Sequence, residues 1–175
     1  QREKEPQIEF SAPKAEDIQL NEIQQKVFDD IAATDDAKPH LIYGVTSSGK
    51  TAVFIKLIQH CLDSGKTAML LVPEISLTPQ VINKMCSHFG DTVSVLHSKL
   101  TQKERLWHYN RVLQGKARVV VGTRSAVFAP CDNIGLIIID EEHEKTFKSE
   151  NSPRYSAIRV ASFIAKEKGA KLVLA

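Results

Sequence analysis

The sequence has few cysteines and no long apolar run. Its three cysteines, Cys61, Cys86 and Cys131, include no C-x-x-C pair, which argues against a zinc site and against a disulfide framework. We expect them to be buried thiols in a reducing compartment. No apolar stretch approaches the about 18 residues of a membrane span, and the first ten residues contain no apolar signal core. These absences predict a cytoplasmic protein that does not bind a membrane.

A strong charge of either sign is also lacking. The 23 lysines and arginines nearly balance the 21 aspartates and glutamates, which leaves a net charge of +2. Bulk charge therefore neither requires nor excludes a nucleic acid partner, and a local basic patch would have to bind one. The length of 175 residues with 42% hydrophobic content is typical of one globular domain.

Short apolar segments alternate with amphipathic ones along most of the chain. Residues 1–17 are charged and aperiodic and predict a linker or arm, and residues 18–175 form the predicted domain. Because apolar strands that alternate with helices need crossover connections, we expect an α/β fold with a mainly parallel sheet and helices on both faces. The predicted strands are 41–44, 67–72, 92–97, 118–122, 136–140 and the final KLVLA, and the predicted helices are 20–31, 51–62, 76–89, 101–113 and 156–169.

The stretch GVTSSGKT satisfies the pattern G-x-x-x-x-G-K-[ST], which is typical of a phosphate-binding loop between a strand and a helix. Its glycines allow a tight turn with N–H groups directed at phosphates, and the helix N-terminus favours negative charge. Lys50 would reach the β- and γ-phosphates of ATP, and the Thr51 hydroxyl would bind Mg²⁺. A purely structural turn is the alternative. The predicted nucleotide-binding residues of this loop are Gly44, Val45, Thr46, Ser47, Ser48, Gly49, Lys50 and Thr51.

The acidic stretch DEEH follows an apolar strand, LIII. This position places its carboxylates at the carboxyl edge of the sheet, where open α/β sheets bind ligands. Asp140 would help to hold Mg²⁺ indirectly, and Glu141 would orient and deprotonate the attacking water. Lys50, Asp140 and Glu141 are therefore the predicted catalytic residues. The alternative is a solvated acidic loop.

Five stretches together resemble the DExH helicases of superfamily 2 and, among these, the primosomal replication-restart helicases. They are GVTSSGKT, LVPEISLTPQ (71–80), residues 96–130 with GTRSAVFAP, IIIDEEHEKTFK (137–148) and SPRYSAIRVA (152–161). The resemblance runs from Leu20 to Ala175 and implies the first RecA-like motor lobe of such an enzyme. It further implies ATP as fuel and movement on single-stranded DNA at stalled forks. Ser47 departs from it, since the family commonly has glycine there.

The resemblance also suggests roles for residues outside the two motifs. Gln24 in LNEIQ would read the adenine edge, and His143 would link the ATP site to its neighbours. Phe147 and Tyr155 would belong to an aromatic-rich loop, EKTFKSENSPRY (144–155), that relays DNA occupancy to the ATP site. The alternative is an ordinary surface loop whose aromatic side chains pack onto the domain. The residues that would grip the DNA backbone are Pro73, Glu74, Ser76, Thr78, Thr123, Arg124 and Ser125, for whose hydroxyls the alternative is loop capping.

The family's remaining parts are a second RecA-like lobe with an arginine finger and a cysteine-rich zinc region. The sequence stops within a predicted strand, so we expect one lobe of a larger protein, monomeric and nearly inactive alone, with zinc in the missing part. Expected partners are single-stranded and forked DNA, primosome proteins and single-strand-binding proteins in the bacterial nucleoid. Alternatives are another superfamily 2 translocase, such as a fork-remodelling or restriction motor, and a non-catalytic nucleotide-binding switch module.

Overall fold

Six parallel strands form one sheet. A computed structural model describes residues 13–34, 38–44 and 49–175, and in these ranges the strand order is β1-β6-β5-β2-β4-β3 with every neighbouring pair parallel. The strands are β1 (His40–Leu41), β2 (Thr67–Leu71), β3 (Val93–Leu96), β4 (Val119–Gly122), β5 (Ile134–Ile139) and β6 (Lys171–Leu174). The predicted α/β fold is confirmed.

Helices cover both faces of this sheet. Alternate side chains of β5 point to opposite faces, so Ile138 packs in one core cluster and Ile139 in another. The first cluster includes Phe54 and Met85 from two helices, and the second includes Ala161 from a helix on the other face. The helices are α1 (Glu22–Ala33), α2 (Lys50–Asp63), α3 (Pro79–Phe89), α4 (Gln102–Leu113) and α5 (Ala157–Lys168).

Two predicted elements differ in length from the observed ones. The helix expected over 76–89 begins at Pro79, and a separate 3₁₀ turn spans Glu74–Ser76. Because the residue before a proline is driven out of the helical region, Thr78 is extended, with φ −88° and ψ 160°, and separates the two elements. The strand expected over 41–44 is reduced to β1, although the Ile42 N–H still donates to the Leu174 carbonyl at 2.8 Å.

The segment before α1 runs along the domain where it is described. The Ala15 N–H donates to the Ser87 carbonyl at 2.8 Å, and Asp17 forms a 2.7 Å ion pair with Lys56 of α2. Among the residues that the structure describes, no helix is long and apolar enough to cross a membrane.

The cysteines are free thiols within the fold. Cys61 and Cys86 are buried and Cys131 is half-buried. Burial raises the pKa of Cys61 to about 11 and that of Cys131 to about 12. These thiols are therefore protonated near neutral pH and poorly nucleophilic.

Candidate functional site

The GKT motif lies where a helix starts at the carboxyl edge of the sheet. Gly44 follows β1 and Gly49 precedes α2, whereas Val45, Thr46, Ser47 and Ser48 lie outside the described residues. Gly49 has φ 78°, a conformation that side chains disfavour. A Cβ at this position would also lie 2.4 Å from the Gln24 Nε2 atom. The positive φ favours glycine here, and a larger residue would also displace the Gln24 amide.

Helix α2 begins without a side-chain cap, unlike the other four α-helices of the described ranges. Side chains cap α1, α3, α4 and α5, namely Asn21, Thr78, Thr101 and Ser156. The N-cap of α2 is Gly49, and no side chain accepts from its first turn in the part of the chain described. The first N–H groups of a helix need an acceptor, and a phosphate group supplies one. The start of α2 therefore fits the phosphates of a nucleotide.

Lys50 and Asp140 meet at this edge. The Lys50 Nζ atom lies 3.3 Å from Asp140 Oδ1, and the two side chains are 10% and 24% exposed. Asp140 is held by its own backbone N–H, which donates to the Leu71 carbonyl at 2.9 Å. Thr51 is half-buried in the first turn of α2. Among the described residues, no cluster of three or more histidine, cysteine or acidic side chains forms a protein-only metal site, so a bound Mg²⁺ would depend on phosphate and water ligands as well.

Glu141 occupies a constrained position directly after Asp140. Its φ of 51° is in the left-handed region, which is costly for a residue with a side chain. Its backbone N–H donates to Asp140 Oδ1 at 3.0 Å. The Ser76 hydroxyl lies 3.4 Å from both carboxylate oxygens of Glu141. This contact with Ser76 was not expected from the sequence, in which the two residues are far apart.

Gln24 lies against the GKT loop through its side-chain amide. Its Oε1 atom accepts from the Asn21 N–H at 3.0 Å, and its Nε2 atom donates to the Gly49 carbonyl at 3.2 Å. An amide oxygen and an amide nitrogen can each form one more hydrogen bond, so contact with a base is compatible with this arrangement. His143 is exposed at the end of the acidic stretch.

A groove lies further along the same edge of the sheet. This groove, of about 320 Å³, is lined by five of the seven residues predicted to grip DNA, together with Ser98, Arg105, Thr146 and Phe147. Those five residues are Pro73, Glu74, Thr123, Arg124 and Ser125. Sequence reasoning missed Ser98 and Arg105 as site residues. Ser98 could have been found from its position just after β3, at the carboxyl edge.

Two residues predicted to bind DNA have other contacts. Thr78 caps α3 by accepting from the Val81 N–H at 3.4 Å, which is the alternative role considered for such hydroxyls. Ser76 contacts Glu141, as described above. Glu74 remains in the groove and accepts a hydrogen bond from Ser98.

Arg124 holds the segment that follows the acidic stretch. Its Nη1 atom donates to the Thr146 carbonyl at 3.1 Å and to the Lys148 carbonyl at 2.8 Å, and its guanidinium carbon lies 5.7 Å from the centre of the Tyr155 ring. Gly122, two residues earlier, has no space for a side chain, since a Cβ there would lie 2.4 Å from the Leu96 carbonyl oxygen.

The aromatic residues of the 144–155 loop pack onto the domain. Phe147 is 1% exposed and belongs to the second core cluster. Tyr155 is half-buried, and its ring centre lies 4.9 Å from that of Phe128. This packing matches the alternative of an ordinary loop with tucked-in aromatics, and the relay of DNA occupancy stays a prediction.

The sequence matches the family model of the DEAD/DEAH box helicases over residues 21–171. The replication restart protein PriA of Bacillus subtilis (strain 168) is 44% identical over 164 residues, which cover 92% of this chain and 20% of that protein. PriA of Treponema pallidum (strain Nichols) is 44% identical over 140 residues, covering 80% of this chain and 21% of that protein. The chain thus spans about a fifth of the length of these curated relatives.

Solved helicase structures share the fold. RecG bound to a three-way DNA junction superposes with a TM-score of 0.66 at 22% identity, over 93% of this chain and 23% of that one. The UvsW helicase from bacteriophage T4 gives a TM-score of 0.61 at 17% identity, over 90% of this chain and 52% of that one. At these identities the likeness concerns the fold.

Proposed function

Because this chain belongs to the DEAD/DEAH box helicase family, we propose that it is the ATP-binding motor lobe of a DNA helicase that restarts stalled replication forks. The observation that carries the proposal is the uncapped start of α2, with Lys50 3.3 Å from Asp140 beside a groove on the same sheet edge. Similarity to the PriA proteins supports the restart role.

The nucleotide half of the site is proposed as follows. Lys50 moves from Asp140 to the β- and γ-phosphates, whose oxygens also accept from the first N–H groups of α2. Thr51 would bind Mg²⁺ and Asp140 would help to hold it indirectly; the metal would supply neutralisation of phosphate charge when bound. Glu141 orients the attacking water and accepts its proton. Gln24 reads the adenine edge with the hydrogen-bonding capacity that its contacts with Asn21 and Gly49 leave.

The groove is the proposed path of single-stranded DNA. Arg105 is exposed there, and the hydroxyls of Thr123 and Ser125 can donate to phosphate oxygens. Such contacts hold a strand without reading its sequence. Arg124 is already bonded to the carbonyls of Thr146 and Lys148, so its proposed share is charge attraction and support of the groove wall.

Communication between the two halves is proposed to pass through the Glu74–Ser76 turn. Glu74 lines the groove, and Ser76 contacts the carboxylate of Glu141. A DNA strand that displaces this turn also moves the Glu141 carboxylate, which is proposed to orient the attacking water. A misplacement of about 1 Å can change the rate of a reaction by about 10²-fold.

For the whole protein we propose a second motor lobe, a zinc region elsewhere, and action on forked DNA with primosome and single-strand-binding proteins in the bacterial nucleoid. A nucleotide-binding switch module is the competing function. Binding of this chain to single strands of unrelated sequence, followed by fluorescence anisotropy across a salt series, separates the two.

A helicase lobe should bind DNA strands of different sequence with similar affinity. The logarithm of that affinity should fall linearly with the logarithm of the salt concentration. Arg105→Ala should weaken binding to every strand and reduce the magnitude of the salt slope by about 0.7. Lys116→Ala, an exposed cation just before β4 at the opposite edge, is the matched control. Absence of DNA binding by the unmodified chain would favour the switch module.

A further inference from the structure

A second, basic cleft lies beside the groove. It has a volume of about 550 Å³ and is formed by the loop from residue 148 to residue 156 and by the start of α5. Three cationic side chains line it, those of Lys148, Arg154 and Arg159, together with the hydroxyls of Ser149 and Ser156. Its lining contains no carboxylate.

The backbone of the loop fixes the position of this cleft. Lys148 and Ser156 form an antiparallel bridge, and the Ser149 N–H donates to the Tyr155 carbonyl at 2.7 Å. Arg154 Nε donates to the backbone carbonyl of Glu150 at 3.2 Å. These bonds engage the backbone of Lys148 and leave its side chain available to a ligand. The hydroxyls are already used locally, since Ser156 accepts from the Arg159 N–H and Ser149 donates to the Asn151 carbonyl at 3.0 Å.

None of the three cations forms an ion pair with an acidic side chain among the described residues. Within the described ranges the ion pairs are Lys50 with Asp140 and Lys56 with Asp17, and neither includes Lys148, Arg154 or Arg159. Like charges gathered around one concavity repel one another and raise the local concentration of anions. A ligand with several negative charges relieves this repulsion, as a nucleic acid backbone does.

The cleft and the groove share one wall. Thr146 and Phe147 line the groove, whereas Lys148 and Ser149 line the cleft. Arg124, which lines the groove, donates to the carbonyls of Thr146 and Lys148 and so braces this wall from the groove side. A nucleic acid strand that leaves the groove over this wall would meet Lys148 first.

We propose that the cleft is a second phosphate-binding site for the nucleic acid strand that occupies the groove. It takes backbone phosphates rather than bases, because its lining is cationic and its one aromatic residue, Tyr155, is half-buried against Phe128. The inference rests on the proposed function, since it needs a strand in the groove.

The test compares two lengths of labelled thymidine oligonucleotide, about 5 and about 15 nucleotides, by fluorescence anisotropy with this chain. The double variant Lys148→Gln/Arg159→Gln removes two cleft charges without touching the backbone bonds of the loop. It should lower affinity for the longer oligonucleotide about tenfold and reduce its salt slope by about 1.4. Affinity for the shorter oligonucleotide should stay within about twofold, because that strand fits in the groove alone.

The control is Lys166→Gln/Lys168→Gln, which makes the same charge change in the last turn of α5 and should leave both affinities unchanged. If the cleft variant binds both lengths like the unmodified chain, this inference is wrong and the proposed function stands. Equal losses for both lengths would also overturn it, since the cleft would then be part of the groove. If the unmodified chain binds neither oligonucleotide, the proposed function itself fails.

Discussion

Replacing Lys50 by alanine should remove most nucleotide affinity and change stability little. Lys50 and Asp140 form a partly exposed ion pair, with 10% and 24% of the side chains exposed, and such pairs contribute about 0–1 kcal/mol to folding. A hydrogen bond between a cation and a phosphate contributes about 1.5–3 kcal/mol to binding. At about 1.4 kcal/mol per factor of ten, the dissociation constant of ADP should rise about 10- to 150-fold.

The partner variant Asp140→Asn should behave differently, since Asp140 competes with phosphate for Lys50. Without Mg²⁺, Asp140→Asn should bind ADP as tightly as the unmodified chain, or more tightly, because Lys50 is released from its 3.3 Å ion pair. With Mg²⁺, the variant should lose the gain in affinity that the metal gives, because the proposed metal-holding carboxylate is gone.

Isothermal titration calorimetry with ADP, with and without Mg²⁺, measures the affinity of the unmodified chain and of each variant. Lys56→Ala is the control, since Lys56 lies on the same helix and pairs with Asp17 away from the site. Thermal unfolding of each variant shows whether the fold persists. Unchanged ADP affinity in Lys50→Ala, or an equal loss in Lys56→Ala, would refute the assignment of the phosphate site.

Three further predictions follow from buried or bridging side chains. In the full-length protein, Ser76→Ala should lower DNA-stimulated ATP hydrolysis several-fold while ADP affinity stays within about twofold, because its bonds to Glu141 are long at 3.4 Å and its effect is positional. Equal stimulation in the variant and the unmodified protein would disprove this role. Phe147→Ala should lower the free energy of unfolding by about 3–5 kcal/mol in urea titrations, since the ring is 1% exposed, and a loss below about 1 kcal/mol would contradict the observed packing. Burial lowers the pKa of His108 from 6.5 to about 4, so the unfolded chain binds the proton more readily, and stability is present above pH 6.5 and lost as the pH falls towards 4. Between pH 7 and pH 5, His108 should lower the free energy of unfolding by about 2 kcal/mol. In urea titrations at the two pH values, the His108→Gln variant should show a smaller decrease than the unmodified chain. The control His60→Gln, which changes an exposed histidine, should show the same decrease as the unmodified chain.

Helix boundaries and the class of each element could be predicted from the sequence, because both depend on interactions between residues that are near one another in the chain. The helix predicted over 101–113 is α4, and a capping box between Thr101 and Glu104, visible in the sequence as T-x-x-E, fixes its start. The helix predicted over 156–169 is α5, and it ends at Lys168 because Gly169 adopts the left-handed conformation, with φ 65°. The α/β fold could be predicted for the same reason, since each apolar strand and each amphipathic helix indicates its own class.

Edge strands are harder to delimit from composition. The apolar run at residues 41–44 predicted a buried strand, yet Leu41 is 66% exposed and Tyr43 is 97% exposed. Among the described residues, strand β1 lies at the edge of the sheet and pairs only with β6, so the hydrogen-bonding groups on its other side have no partner strand there. An apolar run shows that a strand is favourable and does not show how many neighbours it has.

Glu74, Ser76 and Thr78 of the stretch LVPEISLTPQ, which were all expected to bind DNA, have different contacts in the structure. The strand ends of an open parallel sheet converge at one edge, so the turn after β2 can face the groove and the acidic stretch at the same time. Glu74 faces the groove, Thr78 caps a helix, and Ser76 faces Glu141. Because these residues are adjacent in sequence, a shared role in DNA binding was predicted for them. Their different contacts could not be predicted, since side-chain direction in an irregular turn depends on backbone dihedral angles that no periodicity indicates.

One strand end connects both proposed sites. The Leu71 carbonyl at the end of β2 accepts from the Asp140 N–H at 2.9 Å, and the next residue, Val72, lines the groove while its N–H donates to the Gly122 carbonyl at 2.9 Å. The position of Asp140 is therefore tied to the strand that forms the groove wall. These backbone bonds join buried strands, and close-packed strands transmit displacement rather than absorb it. A ligand in the groove can thus act on the carboxylates through the fixed end of β2 and through the Ser76 contact, and loss of Ser76 alone should reduce the stimulation by DNA without abolishing it.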